Sequence, residues 1–249
     1  MLEKGKYIYF ASDFHLGAPN HQESLKREKK IVEWMNAIKP TAQELFLLGD
    51  IFDFWFEYKR AVPKGFTRFL GKIAEFTDDG IPVHFFLGNH DMWIFEYLPA
   101  ETGVTIHEHS CEAEWGGKSF FLAHGDGLGS GDWSYKLLKK IFRSSFSQWL
   151  FGRIHPNLGI WIAHKWSHSS RIANGDPAQF RGEENEILVQ YSRSLLEKKH
   201  YDFLIYGHRH TPTDYPLNEN ARYINLGDWI KHTSYAYFDG AELHLINFE

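Results

Sequence analysis

Five short motifs of metal-ligand side chains are the part of this sequence best suited to chemistry. Each motif follows an apolar run, rich in aromatic or β-branched residues, that is typical of a buried strand. Ligands of open α/β sheets bind beyond the carboxyl ends of the strands, so we expect the motifs to converge in space. The seven donors are, in chain order, Asp13, His15, Asp50, Asn89, His124, His208 and His210.

The spacing of these donors predicts a centre with two metal ions. Asp13 and His15 are two residues apart, as are His208 and His210. Side chains two apart on an extended segment point the same way, so each motif places two donors on one side of the chain. Seven donors are too many for one tetrahedral ion, but they suit two ions about 3.5–4 Å apart that share a carboxylate. We expect Asp50 to be the shared carboxylate, in a centre that cleaves phosphoesters.

The ligand types limit the choice of metal. Imidazole and carboxylate groups suit manganese, iron or zinc. Cys111 is the only cysteine, which excludes a zinc–thiolate site. We expect two divalent ions, manganese before iron or zinc. Two such ions lower the pKa of a bridging water from about 15.7 towards 7, so a metal-bound hydroxide is available to attack phosphorus near neutral pH.

The order of the motifs resembles a known superfamily. The series Asp-x-His, Gly-Asp, Gly-Asn-His-Asp, His-Gly-Asp and Gly-His-x-His, spread over residues 13–210, is similar to that of the calcineurin-like metallophosphoesterases. A single match is weak evidence, whereas all five in order are specific. The resemblance implies an α/β four-layer sandwich, with two packed mixed β-sheets flanked by helices. It implies one ion bound by Asp13, His15, Asp50 and His210, and the other by Asp50, Asn89, His124 and His208.

The same resemblance assigns two catalytic residues. His90 would face the leaving oxygen or the phosphoryl oxygens of the substrate. Asp91 would orient His90 by accepting its ring N–H.

Hydrophobic periodicity predicts the elements that position these motifs. We expect helices over 23–38, 66–76 and 183–199. Strands are expected before each motif. Three more, at 223–227, 234–238 and 242–246, should complete the second sheet, with Asp239-Gly240 as a hairpin turn.

One region differs in charge from the rest of the chain. From Trp133 to Gly175 there is no acidic residue and there are seven basic ones, so the remainder of this chain of net charge −5 carries −12. Large apolar residues are interleaved with the bases, which predicts a pair of amphipathic helices. We expect a single domain over 1–249 that contains a helical lid insertion at 127–182, beside the metals.

Three interpretations of this insertion stay open. It is a helical hairpin packed on the core, a groove for single-stranded nucleic acid, or a site for a lipid-like substrate whose phosphates its cations attract. The density of aliphatic and tryptophan side chains favours lipid over nucleic acid.

The whole chain resembles the UDP-2,3-diacylglucosamine diphosphatase family of lipid A biosynthesis. The similar segments are Gly49-Asp50-Ile51-Phe52-Asp53-Phe54-Trp55, Asp132 with Tyr135, and Ser170-Arg171-Ile172-Ala173-Asn174. That resemblance implies hydrolysis of UDP-2,3-diacylglucosamine to UMP and 2,3-diacylglucosamine 1-phosphate. Its substrate contacts would be Asp132, Tyr135, Ser170 and Asn174, with Lys165 and Arg171 as phosphate contacts.

His90 departs from the pattern of that family, whose best-known members have arginine there. Arginine only donates hydrogen bonds, whereas histidine also exchanges protons. Histidine at this position is common in general phosphodiesterases, so an alternative function on another diester, or as a nuclease, stays open. A scaffold without catalysis is a third alternative, against which the complete ligand set argues.

Composition indicates the size of the core and the cellular compartment. A chain of 249 residues with 43% hydrophobic content can bury a full core. One cysteine favours a reducing compartment, and we expect neither a leader peptide nor a membrane span. The predicted location is cytoplasmic, peripheral on the inner face of the membrane. The expected partner is a nucleotide-linked lipid, with nucleic acid disfavoured and no protein partner implied.

Overall fold

Two β-sheets lie face to face in the computed structural model, which describes residues 2–130, 133–174, 180 and 182–249. The strands are β1 (Tyr7–Ala11), β2 (Ala42–Leu47), β3 (Val83–Phe86), β4 (Thr105–His107), β5 (Cys111–Trp115), β6 (Lys118–Ala123), β7 (Phe203–Tyr206), β8 (Thr213–Asn218), β9 (Ala221–Asn225), β10 (Ser234–Phe238) and β11 (Leu243–Asn247). The helices are α1 (His21–Ile38), α2 (Thr67–Asp78), α3 (Tyr97–Thr102), α4 (Trp133–Phe142), α5 (Ser145–Phe151), α6 (Pro156–Asn174) and α7 (Ile187–Leu196), with a 3₁₀ turn at Glu183–Asn185.

The first sheet has the strand order β11-β10-β1-β2-β3-β4, and the second has the order β5-β6-β7-β9-β8. Strands β1 to β4 run parallel, as do β6, β7 and β9. The carboxyl ends of each parallel set therefore lie at one edge of its sheet, which is where ligands bind in such sheets.

Aromatic side chains fill the space between the sheets. Phe10 of β1 stacks on Phe46 of β2 and on Phe120 of β6, with ring centroids 5.5 Å and 6.2 Å apart. Strand β1 is buried on both faces, because Ile8 and Phe10 face the second sheet while Tyr9 packs towards the helices. Burial on both faces explains its continuous apolar sequence.

Helices cover the outer face of each sheet. In α1, Ile31, Trp34 and Ile38 recur at helical spacing and are buried against the first sheet. The helix begins at Asn20, whose Oδ1 accepts a hydrogen bond from the Glu23 backbone N–H. In α7, Leu188 packs on the second sheet. The predicted four-layer α/β sandwich is confirmed.

The expected place of the last two strands is wrong. Strand β9 belongs to the second sheet, but β10 pairs antiparallel with β1 and β11 pairs with β10, which extends the first sheet. In β10, Ala236 lies opposite Phe10, so a small side chain faces a large one. Alternation along a strand shows which side chains are buried, but it does not specify the sheet edge that the strand joins.

In the part of the insertion that the structure describes there are three helices, α4, α5 and α6, rather than the expected pair. Its inner side packs on the loops that follow β2 and β3, where Phe54 and Trp93 contact Phe142 and Phe151. Its outer side exposes large apolar side chains, among them Trp133, which is 82% exposed. In the described part of the chain, no helix has the length and apolar character needed to cross a membrane.

Packing between the sheets should dominate stability. Phe120 is fully buried and contacts four aromatic rings, those of Phe10, Trp115, Phe203 and Phe238. We expect Phe120→Ala to lower the free energy of unfolding by about 3–5 kcal/mol, because a cavity remains between the sheets. Urea denaturation measures this change.

The matched control is Phe146→Ala on α5, where the ring is 71% exposed. We expect its effect on unfolding to stay within about 0.5 kcal/mol. Equal shifts in the two variants would contradict this account of the core.

Candidate metal centre

All seven predicted donors lie at the carboxyl ends of the parallel strands. Five of them have a left-handed backbone, with φ of 56° at Asp13, 43° at His15, 54° at Asp50, 67° at His208 and 54° at His210. This conformation is uncommon outside glycine and has a cost of about 1–3 kcal/mol per residue. Its concentration at one edge of the molecule marks a functional site.

The first group of donors comes from both sheets. His15 Nε2 lies 3.1 Å from His210 Nε2, and Asp13 Oδ1 lies 3.2 Å from His210 Nε2. One donor atom each from Asp13, His15, Asp50 and His210 fall within 4.8 Å of one another, a spacing at which they could hold one cation.

The second group shares Asp50 with the first. One donor atom each from Asp50, His124 and His208 lie within 4.8 Å of one another. Asn89 joins this group, since its Oδ1 is 3.3 Å from His124 Nε2. The structure thus brings the seven side chains together in two groups that share Asp50.

The two oxygens of Asp50 have different surroundings. Oδ1 accepts a hydrogen bond of 2.9 Å from the His90 backbone N–H. Oδ2 faces three imidazoles, at 3.4 Å from His124 Nε2, 3.9 Å from His15 Nε2 and 4.0 Å from His90 Nε2. Oδ2 is therefore the oxygen of Asp50 that faces imidazoles of both donor groups.

Two glycines allow this close packing. A Cβ at residue 88 would lie 2.2 Å from Asp50 Oδ1, and one at residue 49 would lie 2.6 Å from His124 Nδ1. Gly49 also has a φ of 86°, which side chains disfavour. The glycines of the Gly-Asp and Gly-Asn-His-Asp motifs are thus explained by the approach of neighbouring loops.

The electrostatics of the site favour cations. Burial opposes ionisation of Asp50, but facing imidazoles hold its pKa well below the usual range. Burial acts to lower the pKa of His15 and His124, yet neighbouring carboxylates raise it to about 10 in each. The buried carboxylates therefore require adjacent positive charge, which imidazolium protons or divalent ions supply. Since the donor types also match manganese, iron or zinc, the residues fit a pair of such ions.

Groups outside the donor set contact the Nδ1 atoms of two candidate ligands. His124 Nδ1 lies 2.7 Å from the Leu48 carbonyl oxygen, so Nδ1 carries the hydrogen and Nε2 is left for a metal. His210 Nδ1 lies 3.5 Å from Asp228 Oδ2. Asp228 is not among the residues predicted from the sequence, although Gly227-Asp228 follows β9 as Gly49-Asp50 follows β2. That repeated pattern could have revealed it.

The imidazole of His90 has a defined tautomer. Its Nδ1 lies 3.1 Å from the Asp53 backbone oxygen, which can only accept, so Nδ1 carries the hydrogen. Nε2 then faces Asp50 Oδ2, on the side of the metal ligands. Burial lowers the pKa of His90, which favours the neutral ring.

The expected role of Asp91 is wrong. Its Oδ2 accepts hydrogen bonds from the backbone N–H groups of Ile51 and Phe52, and its Oδ1 accepts one from Gly88. Asp91 therefore joins the Asp50 loop to the His90 loop, while the Asp53 carbonyl supports the His90 ring. The side chain turns inward because three backbone donors converge there. Burial raises the pKa of Asp91 to about 7.

The comparisons with known proteins agree with this geometry. The family model of the calcineurin-like phosphoesterases matches residues 6–212. This chain belongs to the calcineurin-like phosphoesterase family. The predicted reaction class, a metal-dependent phosphoester hydrolase, follows from that membership together with the two groups of buried donors.

Relatives of this phosphoesterase match most of its length. A protein from Porphyromonas gingivalis named UDP-2,3-diacylglucosamine hydrolase is 39% identical over 97% of this chain and 97% of its own. One of the same name from Aeromonas hydrophila is 28% identical over 90% of this chain and 91% of its own. Among solved structures, the E. coli phosphoesterase Yfce aligns over 97% of this chain and 92% of its own, with a TM-score of 0.48 and 17% identity.

Two of the predicted substrate contacts, Tyr135 and Lys165, have side chains that the structure describes. The Tyr135 hydroxyl donates to Asp126 Oδ2 at 2.7 Å, and Lys139 Nζ lies 2.5 Å from the same oxygen. Asp126 is buried and was missed, although it stands in the His-Gly-Asp motif. Tyr135 therefore ties α4 to the His124 loop. Lys165 is exposed, with Nζ 4.6 Å from the Trp161 ring centroid.

Four other predicted substrate contacts are not placed. Asp132 lies outside the described residues, as do the side chains of Ser170, Arg171 and Asn174. Their predicted contacts with substrate stay predictions.

Removing the charge of Asp50 should disrupt both ion sites. We expect Asp50→Asn to bind fewer than two divalent ions per chain and to lose hydrolysis, because Oδ2 would no longer be an anion shared by two groups of donors. Mass spectrometry of the purified protein, dialysed against manganese, measures the stoichiometry. Asp239→Asn, in the turn after β10, is the control and should keep two ions. Two ions retained in Asp50→Asn would contradict the bridging role.

Proposed function

We propose that this phosphoesterase hydrolyses UDP-2,3-diacylglucosamine to UMP and 2,3-diacylglucosamine 1-phosphate. In the balanced reaction, the oxygen of water bonds to one phosphorus of the diphosphate, and the bridging oxygen leaves with the other phosphate. The observation that carries the proposal is the similarity to the Porphyromonas gingivalis protein named UDP-2,3-diacylglucosamine hydrolase. The two sequences are 39% identical over 97% of both chains, a match long enough to include the insertion.

The metal ligands would work as two sets that share Asp50. The first set is Asp13, His15, Asp50 and His210, and the second is Asp50, Asn89, His124 and His208. When bound, a pair of divalent ions, manganese in our proposal, supplies an activated water and offsets charge on the phosphoryl oxygens. The carboxylates and oriented imidazoles hold the site rigid for that chemistry.

His90 would act on the substrate through Nε2. Since Nδ1 keeps its hydrogen on the Asp53 carbonyl, only Nε2 exchanges a proton with the reacting group. An anionic diphosphate beside the ring favours its protonated form, which can donate to a phosphoryl or leaving oxygen. Arginine could supply the charge at this position but not the proton transfer.

The insertion would bind the lipid part of the substrate. Residues 133–175 have no acidic side chain, and α5 exposes the stacked rings of Phe146 and Trp149, 71% and 56% exposed. A surface that combines apolar and basic side chains favours anionic lipid over water. We therefore propose that the insertion at 127–182 is a lid within the single domain. It would also hold the protein peripherally on the cytoplasmic face of the inner membrane.

Product analysis tests the substrate. The purified protein with manganese should release UMP from UDP-2,3-diacylglucosamine in detergent, detected by chromatography. UDP-glucosamine, which lacks acyl chains, is the matched substrate and should react much more slowly. Absence of UMP while bis(p-nitrophenyl) phosphate or single-stranded DNA is cleaved would overturn the proposal and favour the general phosphodiesterase that His90 also suits.

Vesicle binding tests the role of the insertion surface. We expect Phe146→Ser combined with Trp149→Ser to weaken binding to anionic vesicles by about tenfold or more, because burial of each aromatic side chain is worth on the order of 1.5–3 kcal/mol. Flotation assays measure this change. Ile246→Ser on β11, also an exposed apolar residue, is the control. Unchanged binding in the double variant would rule out this surface.

A further inference from the structure

Ser167 is a buried polar residue of the insertion that reaches the centre of the site. It lies on α6 and is 7% exposed, whereas Trp161 and Trp166, which precede it on the same helix, are 55% and 46% exposed. Its Oγ lies 2.8 Å from Asp53 Oδ1 and 3.3 Å from His90 Nδ1. These partners are 114 and 77 residues away in the chain.

Counting hydrogens fixes the direction of both bonds. The serine hydroxyl has one hydrogen, and the Asp53 carboxylate at 2.8 Å can only accept, so Ser167 donates to Asp53. The Ser167 oxygen then faces the Nδ1–H of His90 as an acceptor. His90 thus shares its Nδ1 hydrogen between the Asp53 carbonyl and the Ser167 hydroxyl.

Local bonding does not account for this geometry. Buried helical serines commonly return a hydrogen bond to their own helix, as Ser192 of α7 does to the Leu188 carbonyl at 2.7 Å. Ser167 is directed across the site instead, to a carboxylate that is itself buried.

We propose that Ser167 is a positioning residue through which the insertion orients His90. The proposal rests on the catalytic role of His90 proposed above. With Asp53 held by Ser167, the imidazole is fixed on its Nδ1 side and Nε2 points to the reacting group. Displacement of α6 would remove this support, so the orientation of His90 depends on the docked insertion.

Other contacts of the insertion support this coupling. Trp93 Nε1, three residues after His90, donates to the Phe142 carbonyl oxygen of α4 at 2.9 Å. Tyr135 of α4 donates to Asp126 in the His124 loop. The helices of the insertion therefore bond to the loops that carry His90 and His124, and Ser167 extends this attachment to the imidazole itself.

A double-mutant cycle between Ser167 and His90 tests the proposal. Ser167→Ala should lower kcat about tenfold, the value of one hydrogen bond, with KM changed less than twofold. His90→Ala should lower kcat by about 10²–10⁴. In the His90→Ala background, Ser167→Ala should have an effect below about twofold, because its target is gone.

Control variants distinguish a positioning role of Ser167 from a purely structural one. Ser145→Ala, an exposed serine of α5, should leave kcat unchanged. Ser167→Thr keeps the hydroxyl and should recover most of the rate, while manganese content and melting temperature stay at the wild-type values in every variant. Multiplicative losses of kcat in the double variant, or a wild-type kcat in Ser167→Ala, would overturn the proposal.

The assay runs on both UDP-2,3-diacylglucosamine and bis(p-nitrophenyl) phosphate. If the wild-type protein releases no UMP, the substrate assignment fails, whereas the cycle on the generic diester still decides the role of Ser167. If UMP is released but His90→Ala retains the wild-type rate, the positioning proposal fails and the substrate assignment stands.

Discussion

Asp50 is a buried carboxylate shared by two groups of candidate metal ligands, and the surrounding structure is arranged to keep it charged. Its Oδ2 faces three imidazoles within 4.0 Å, while a backbone amide binds Oδ1. An isolated carboxylate in this position would become protonated, because burial in a medium of low dielectric constant disfavours charge. The imidazoles, brought from both sheets, supply the positive field that prevents it.

That requirement explains features distributed over the whole chain. Parallel strands bring their carboxyl ends to one edge, glycines before Asp50 and Asn89 let the loops touch, and Asp91 ties those loops through three backbone amides. The left-handed residues show that the loops hold unfavourable conformations. The aromatic core between the sheets is the rigid support that maintains them. The free energy of packing in the core therefore offsets the backbone strain of the loops at the site.

The parts that sequence predicted are those determined locally. Each donor follows a strand within three or four residues, so the sequence of a short segment indicates both the strand and its ligand, and the four-layer fold follows from the series of segments. The parts that failed depend on distant partners. Distant segments are joined by the pairing of β10 with β1, by the contacts of Asp91 with the 51–52 backbone and by the position of Ser167 beside His90. The spacing of residues along the sequence does not indicate such long-range contacts. Asp228 is an intermediate case, since the Gly-Asp pair after an apolar run would have predicted it as a site residue.

The division between core and insertion also explains why reaction class and substrate are encoded separately. The seven donors lie at the ends of strands from both sheets, where substitution of any of them would disturb Asp50. They therefore specify phosphoester hydrolysis but not the substrate. The insertion carries the exposed aromatic and basic side chains that would distinguish a lipid from another ligand. His90 belongs to both parts, because its Nε2 faces the donors while its Nδ1 is held by Asp53 and by a serine of α6. Because the Nδ1 side of His90 needs support for Nε2 to act on the substrate, the insertion can affect the chemical step as well as substrate binding.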